Sequence, residues 1–151
     1  MKNKLLIPLI LIILALILVY FLGNHSENIF PSYQQKKVKI NNHIFTVYIA
    51  DNDEKREQGL SYIKKLPENQ GMLFIYNRPD YYQFWMKDMI ISLDFIYLNN
   101  KTVVDLQENI SPKTYPKSFT SKKPANNIIE VSAGDIKKYS IKIGDQIQFV
   151  E

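Results

Sequence analysis

GMLFIYNRPDYYQFWMKDMIISLDFIYLNNKTVVDLQ, residues 71–107, is the stretch from which the fold is read. Runs rich in aromatic and branched aliphatic residues occupy 72–76, 82–86, 93–98 and 102–107, and turn-forming residues separate them: Asn77-Arg78-Pro79-Asp80, then Asn99-Asn100. Four strands joined by short turns predict an antiparallel meander. Upstream, Val38 and Ile40 and then residues 44–49 are further β-rich runs, parted by Asn41-Asn42, a pair that tolerates the positive φ of a tight hairpin. His43 falls at that turn. Between 51 and 59, Asp51 and Glu54 have capping-box spacing and Gly59 suits the position after a helix end, which predicts two helical turns over 52–58. A further turn is expected over 61–66, ending at Pro67. Downstream come a strand over 128–131, a helical turn near 135–139, and a closing strand over 146–150 reached through Gly144-Asp145. The expectation is a mainly β domain, a sandwich or barrel, with two or three short helices at its margin.

Ahead of that domain, Lys2 and Lys4 lead into 18 residues, 5–22, that carry no charge and are overwhelmingly apolar. At ~1.5 Å per residue a helix of this length spans roughly 27 Å, close to the ~30 Å of bilayer hydrocarbon. Pro8 sits in the first turn or so, where its missing N–H matters little. A cleaved signal peptide has a shorter apolar core and a small-x-small exit, whereas Val19-Tyr20-Phe21-Leu22 is bulky up to Gly23, and no Cys is present for a lipid anchor. The chain therefore divides into a cytoplasmic tip (1–4), a transmembrane anchor (5–22), a polar tether (23–35) and a domain (36–151). The positive-inside rule puts the N-terminus in the cytoplasm and the domain outside, a single-pass topology in the cell membrane. The bilayer is then a partner through the N-terminal helix.

Composition narrows the function classes. The formal charge of +4 includes Lys2 and Lys4, so the domain carries 17 Lys and Arg against 15 Asp and Glu, which is no footprint for nucleic acid. Without cysteine, the fold depends on burial, for which 8 Phe, 10 Tyr and one Trp suffice, and a self-contained monomer is expected. His25 and His43 are the only histidines, so a zinc or copper site and Ser-His-Asp or Cys-His nucleophiles are excluded. No phosphate-binding glycine motif follows a strand, so neither a nucleotide nor another cofactor is expected.

Alternation sorts residues 82–87 by face: Tyr82, Phe84 and Met86 toward the core, Gln83, Trp85 and Lys87 away from it. The second set joins a large ring to an amide and an ammonium, which suits a half-exposed platform for a ligand ring; the alternative is a packed Trp85. Asp94 alternates with Ile96 and Leu98, so its carboxylate enters an apolar face and needs a partner, for which Lys87 and Arg56 are the candidates. Glu130, alternating with Ile128, poses the same question. Arg56 also stands one helical turn after Asp53, in position for a surface ion pair. Residues 109–127 hold Lys113, Lys117, Lys122 and Lys123, three prolines and no acid, a long loop suited either to solvent or to an anionic envelope polymer.

Six groups now stand together: Arg56-x-x-Gly59-Leu60, Gly71-Met72-Leu73-Phe74, Phe84-Trp85-Met86-Lys87-Asp88-Met89-x-x-x-Leu93-Asp94, Pro124-Ala125, Glu130-x-x-Ala133-Gly134 and Gly144-Asp145. In this order and spacing the chain resembles the domain of unknown function 192 family, whose members are often secreted or membrane-tethered. The resemblance spans about 38–150 and implies a largely β fold of jelly-roll character, with no agreed activity. Family members usually carry Asn-Thr where this chain has Asp88-Met89, and Pro where it has Ser92. Three readings follow. The first is a tethered binding or accessory domain for a saccharide or other envelope component, with Trp85, Lys87, Gln83, Asp94, Arg56 and Glu130 as ligand-binding candidates. The second is a carboxylate-based hydrolase of envelope glycans built on Asp94 and Glu130 or Asp88. The third is a scaffold that docks a protein.

Overall fold

The computed structural model describes residues 11–14 and 28–151. Leu11 to Leu14 are helical; the rest of the segment 5–22, where an anchor is expected, lies outside the described residues, as do residues 23–27 of the expected tether. Among the described residues no helix is long and apolar enough to cross a membrane.

The domain is mainly β. In chain order its elements are β1 (Gln35–Ile40), β2 (His43–Ala50), α1 (Asp53–Gln58), β3 (Gln70–Asp80), β4 (Phe84–Trp85), β5 (Leu93–Asn99) and β6 (Thr102–Ile110). A 3-10 turn (Pro112–Thr114), β7 (Ser118–Phe119), β8 (Ala125–Ser132), α2 (Asp135–Lys138) and β9 (Ile147–Val150) complete it. Seven strands make one sheet in the order β6-β5-β8-β3-β2-β1-β9, and β4 pairs with β7 as a separate ribbon. All neighbours in the sheet run antiparallel except β2 and β3, which are parallel and linked through α1.

The sheet curls until its outer strands meet. Thr102 at the start of β6 bridges Gln146 just before β9, and the backbone bonds Val103 N to Asp145 O (2.9 Å) and Ile147 N to Lys101 O (2.8 Å) fasten the seam. The result is a half-barrel closed at one end. Its concave interior holds Val38, Phe45, Val47, Leu73, Ile96 and Ile129, with Ile136 of α2 buried among them. The outer face carries an aromatic core of Tyr48, Phe74, Phe95 and Tyr97, covered by Phe84, Met86 and Leu60. With both faces covered, β2, β3, β5 and β8 bury consecutive residues, as in Val47 to Ala50 and Leu93 to Leu98. Each such side chain contributes about 1.5–3 kcal/mol by leaving water.

Two hairpins match their sequence signals. Asn41 and Asn100 take positive φ at the β1–β2 and β5–β6 turns. The helix 53–58 also forms, but its cap is Asn52, whose side chain accepts from Lys55 N, one residue later than the box starting at Asp51. The expected meander over 72–107 does not form. β8 comes between β3 and β5, and the segment 82–86 contributes only the two-residue β4, which leaves the sheet to pair with β7. Residues 61–66 turn without forming a helix, and 109–127 is no plain loop: it contains the 3-10 turn and β7 and is pinned where Lys122 N donates to the buried Asp105. Phe30, in the stretch read as tether, is buried against Tyr48. Gly71 answers to the close approach of β3 and β8, since a Cβ there would lie 2.5 Å from the Glu130 carbonyl oxygen.

Candidate functional site

The alternation read over 82–87 holds in the structure: Phe84 and Met86 are buried, while Gln83, Trp85 and Lys87 are exposed. Trp85 is 49% exposed, so its ring is a surface feature and not packing. It borders a pocket of about 340 Å³ between α1, the end of β3 and β4, which Arg56, Gln83, Lys87 and Glu130 also line. Five of the six candidate residues therefore meet at one concavity.

The walls are built locally. Helix α1 ends at Gly59, whose φ of +51 turns the chain so that Leu60 enters the outer-face core and Ser61 faces β4. Ser61 Oγ donates to the Lys87 carbonyl at 3.3 Å, and Tyr62 N donates to the Asp88 carbonyl at 2.9 Å, so the segment after α1 is stitched to the strand that bears Trp85. Asp88 has a φ of +58, a conformation that Asn and Asp tolerate better than other side chains. The change from the family's usual Asn to Asp88 thus keeps the backbone requirement. Arg56 is fixed from three sides: it donates to the Ile75 carbonyl at 2.7 Å and to Asp53 at 2.6 Å, and it lies over the Tyr76 ring at 4.9 Å. Tyr76 in turn stacks on Tyr82 with centroids 3.5 Å apart. Burial pushes the Tyr76 phenol up to about 12.

Glu130 is the most buried polar side chain of the pocket, 5% exposed. Its carboxyl makes no hydrogen bond or ion pair with the described residues, and burial alone pushes it up to about 8. At neutral pH it is a protonated acid, able both to donate and to accept a hydrogen bond.

Asp94 is not part of this site. It stands opposite Val131 and Glu130 stands opposite Phe95, so the two carboxyls point to opposite faces of the sheet. Neither Lys87 nor Arg56 partners Asp94. Its oxygens instead accept three backbone N–H groups: Asn109 on Oδ1 at 2.8 Å, Gly134 and Ile136 on Oδ2 at 2.9 and 3.0 Å. Asp94 thereby caps α2, whose own N-cap Gly134 has no side chain to do so. A hydrolase based on Asp94 with Glu130 has no geometry here.

Sequence reasoning passed over Tyr76 and Glu57, which also line the pocket. Tyr76 ends a strand run and its ring was readable as core; only the crossover that lays α1 beside β3 turns it into a wall.

Three motifs that the sequence places far apart thus meet at one pocket, and the far ends of two of them form one cap. A family model for DUF192, described as "Uncharacterized ACR", matches residues 36–149. The chain belongs to the DUF192 family. Its fold is shared with a crystal structure from Sinorhizobium meliloti 1021, described as a candidate transcription regulator, at a TM-score of 0.74 and 27% identity over 78% of this chain and 95% of that one. It is shared as well with a protein of unknown function from Novosphingobium aromaticivorans DSM 12444, at a TM-score of 0.75 and 24% identity over 82% and 91% of the two chains. Comparison with curated proteins returns no match. Within DUF192, the Arg56-x-x-Gly59-Leu60, Phe84-Trp85-Met86-Lys87 and Glu130 groups of this chain converge on the pocket, and Leu93-Asp94 meets Ala133-Gly134 at the α2 cap.

Proposed function

We propose that this DUF192 domain is a binding or accessory module held at the outer surface of the cell membrane by residues 5–22, and that the pocket beside Trp85 takes a saccharide or another small component of the envelope. One observation carries the reading. A half-exposed indole stands at the rim of a concavity that contains an unpartnered, nine-tenths buried carboxyl. A sugar ring stacks on such an indole through its C–H face, and its hydroxyls use the amide of Gln83 and the carboxyl of Glu130. Membrane attachment is carried by the uncharged length of 5–22 and the two lysines before it.

Trp85→Ala tests the site. Because the ring is half exposed, its loss should lower the melting stability by no more than ~1 kcal/mol, yet remove ligand binding. Phe84→Ala, on the buried side of the same strand and packed on Phe74, should cost ~3–5 kcal/mol. Equal destabilisation by the two variants in melting curves would end the platform reading. The anchor has its own test: mature chains should retain residues 1–22 and fractionate with membranes, and a mature mass beginning after Gly23 would remove the tether.

A further inference from the structure

Trp85 and Lys87 form a ridge between two hollows. Beyond the pocket already described lies a second of about 520 Å³, and the two share Glu57, Gln58, Ser61, Trp85 and Lys87, so they are one groove with an indole across it. The groove is acidic. Asp53, Glu54, Glu57 and Asp88 line it together with Glu130, against the two cations Arg56 and Lys87, and Arg56 is already bonded to Asp53. A negative rim concentrates cations and repels polyanions. At its buried end Phe74, Tyr76 and Phe84 line the pocket, with the Trp85 indole at the rim, and aromatic rings attract an ammonium. Glu130 stands among them without a counter-charge.

We propose that the ligand of this groove carries a primary ammonium, as an amino sugar or a short oligomer of amino sugars does, with the ammonium against the Glu130 carboxylate and one ring face on Trp85. The inference rests on the binding-site reading above and names its ligand class. Burial keeps Glu130 neutral, and no opposite charge among the described residues reaches it. An entering ammonium is that charge, so Glu130 gives its proton to bulk water while the amine keeps its own, and an ion pair forms where a neutral acid stood. The groups facing Glu130 are the phenols of Tyr76 on β3 and Tyr97 on β5, both held protonated by burial, and the Arg56, Lys87, Asp53 and Glu57 side chains around the pocket. None of these phenols titrates near neutrality, which leaves Glu130 as the group that releases the proton.

The test is calorimetric titration of the full chain in detergent, at about pH 6 and in two buffers of different protonation enthalpy, with glucosamine oligomers and with their N-acetylated counterparts. The free-amine oligomer should bind at least about tenfold more tightly than the acetylated one, with release of about one proton per site. Glu130→Gln should erase both the preference and the proton release, and Trp85→Ala should weaken both oligomers. Equal, Trp85-dependent binding of the two oligomers would overturn the ammonium while leaving the saccharide reading intact. Binding of neither would overturn both. A preference for the amine that survives Glu130→Gln, in a variant shown by its melting curve to be folded, would place the ammonium elsewhere and also overturn the inference.

Discussion

Asp94→Ala should unfold this domain or bring it close to unfolding, although Asp94 forms no ion pair among the described residues. The carboxylate is fully buried and accepts from Asn109, Gly134 and Ile136. A hydrogen bond to a charged group contributes roughly 1.5–3 kcal/mol, and a buried donor left without an acceptor costs a further amount. Three donors lose their acceptor at once, so the expected loss is at least ~4 kcal/mol, against a total stability of about 5–15 kcal/mol for a domain. Asp94→Asn should fall between, near ~2 kcal/mol, because one amide oxygen can still accept while its NH2 faces a donor. Urea titration of the two variants measures both numbers. A loss under ~1 kcal/mol for the alanine variant would mean that the α2 cap and the 109 backbone hold without Asp94.

Glu130→Gln should do the opposite at alkaline pH. In the unfolded chain this carboxyl titrates near its ordinary value of 4.5; in the folded domain burial holds it protonated up to about 8. Between those values the folded state binds the proton and the unfolded state does not, so stability falls as pH rises from 4.5 and levels off above about 8. At ~1.4 kcal/mol per pH unit the full fall reaches several kcal/mol at most. Below pH 4.5 both states hold the proton and Glu130 adds no slope. The glutamine variant keeps the shape without the proton, and its stability relative to wild type should rise steadily across that window. Melting temperatures of the two proteins taken from pH 4 to about 9 give the difference directly, and parallel curves would show that Glu130 is already ionised in the fold.

What the sequence made legible follows from the range over which each signal acts. The alternation of 82–87 is local, and it placed Trp85 and Lys87 on the open side and Phe84 in the core. Helix 53–58 and the hairpin turns at Asn41 and Asn100 are equally local, set by caps and by positive φ. Glu130 reads as a carboxyl on an apolar face and Arg56 as a candidate partner for Asp94, and both line the pocket because α1 and β8 flank β3. Asp94 was misread for a physical reason. A buried carboxylate in a sequence invites a cation as partner, but here the partners are amide N–H groups 15, 40 and 42 residues away, which every residue but proline carries and which leave no mark on the sequence. The strand order was illegible on similar grounds, since turn chemistry says where a chain reverses and not which later strand will slip between two earlier ones. A signal was nonetheless present. Ile44 to Ile49 and Leu93 to Leu98 are near-continuous apolar runs, the mark of strands covered on both faces and of central, crossover-linked pairs.

The position of β8 also constrains how the chain is made. β8 sits inside the sheet, joining β3 to β5, and comprises Ala125–Ser132, far along the chain from both. As the chain emerges, β1, β2 and β3 can form one sheet fragment and β5 and β6 another, each with an unpaired edge of backbone N–H and C=O groups. Neither fragment gains its partner until β8 has emerged. Chains truncated before Ala125 should therefore remain protease-sensitive, and the Trp85 pocket, one wall of which is Glu130, forms only once β8 is in place.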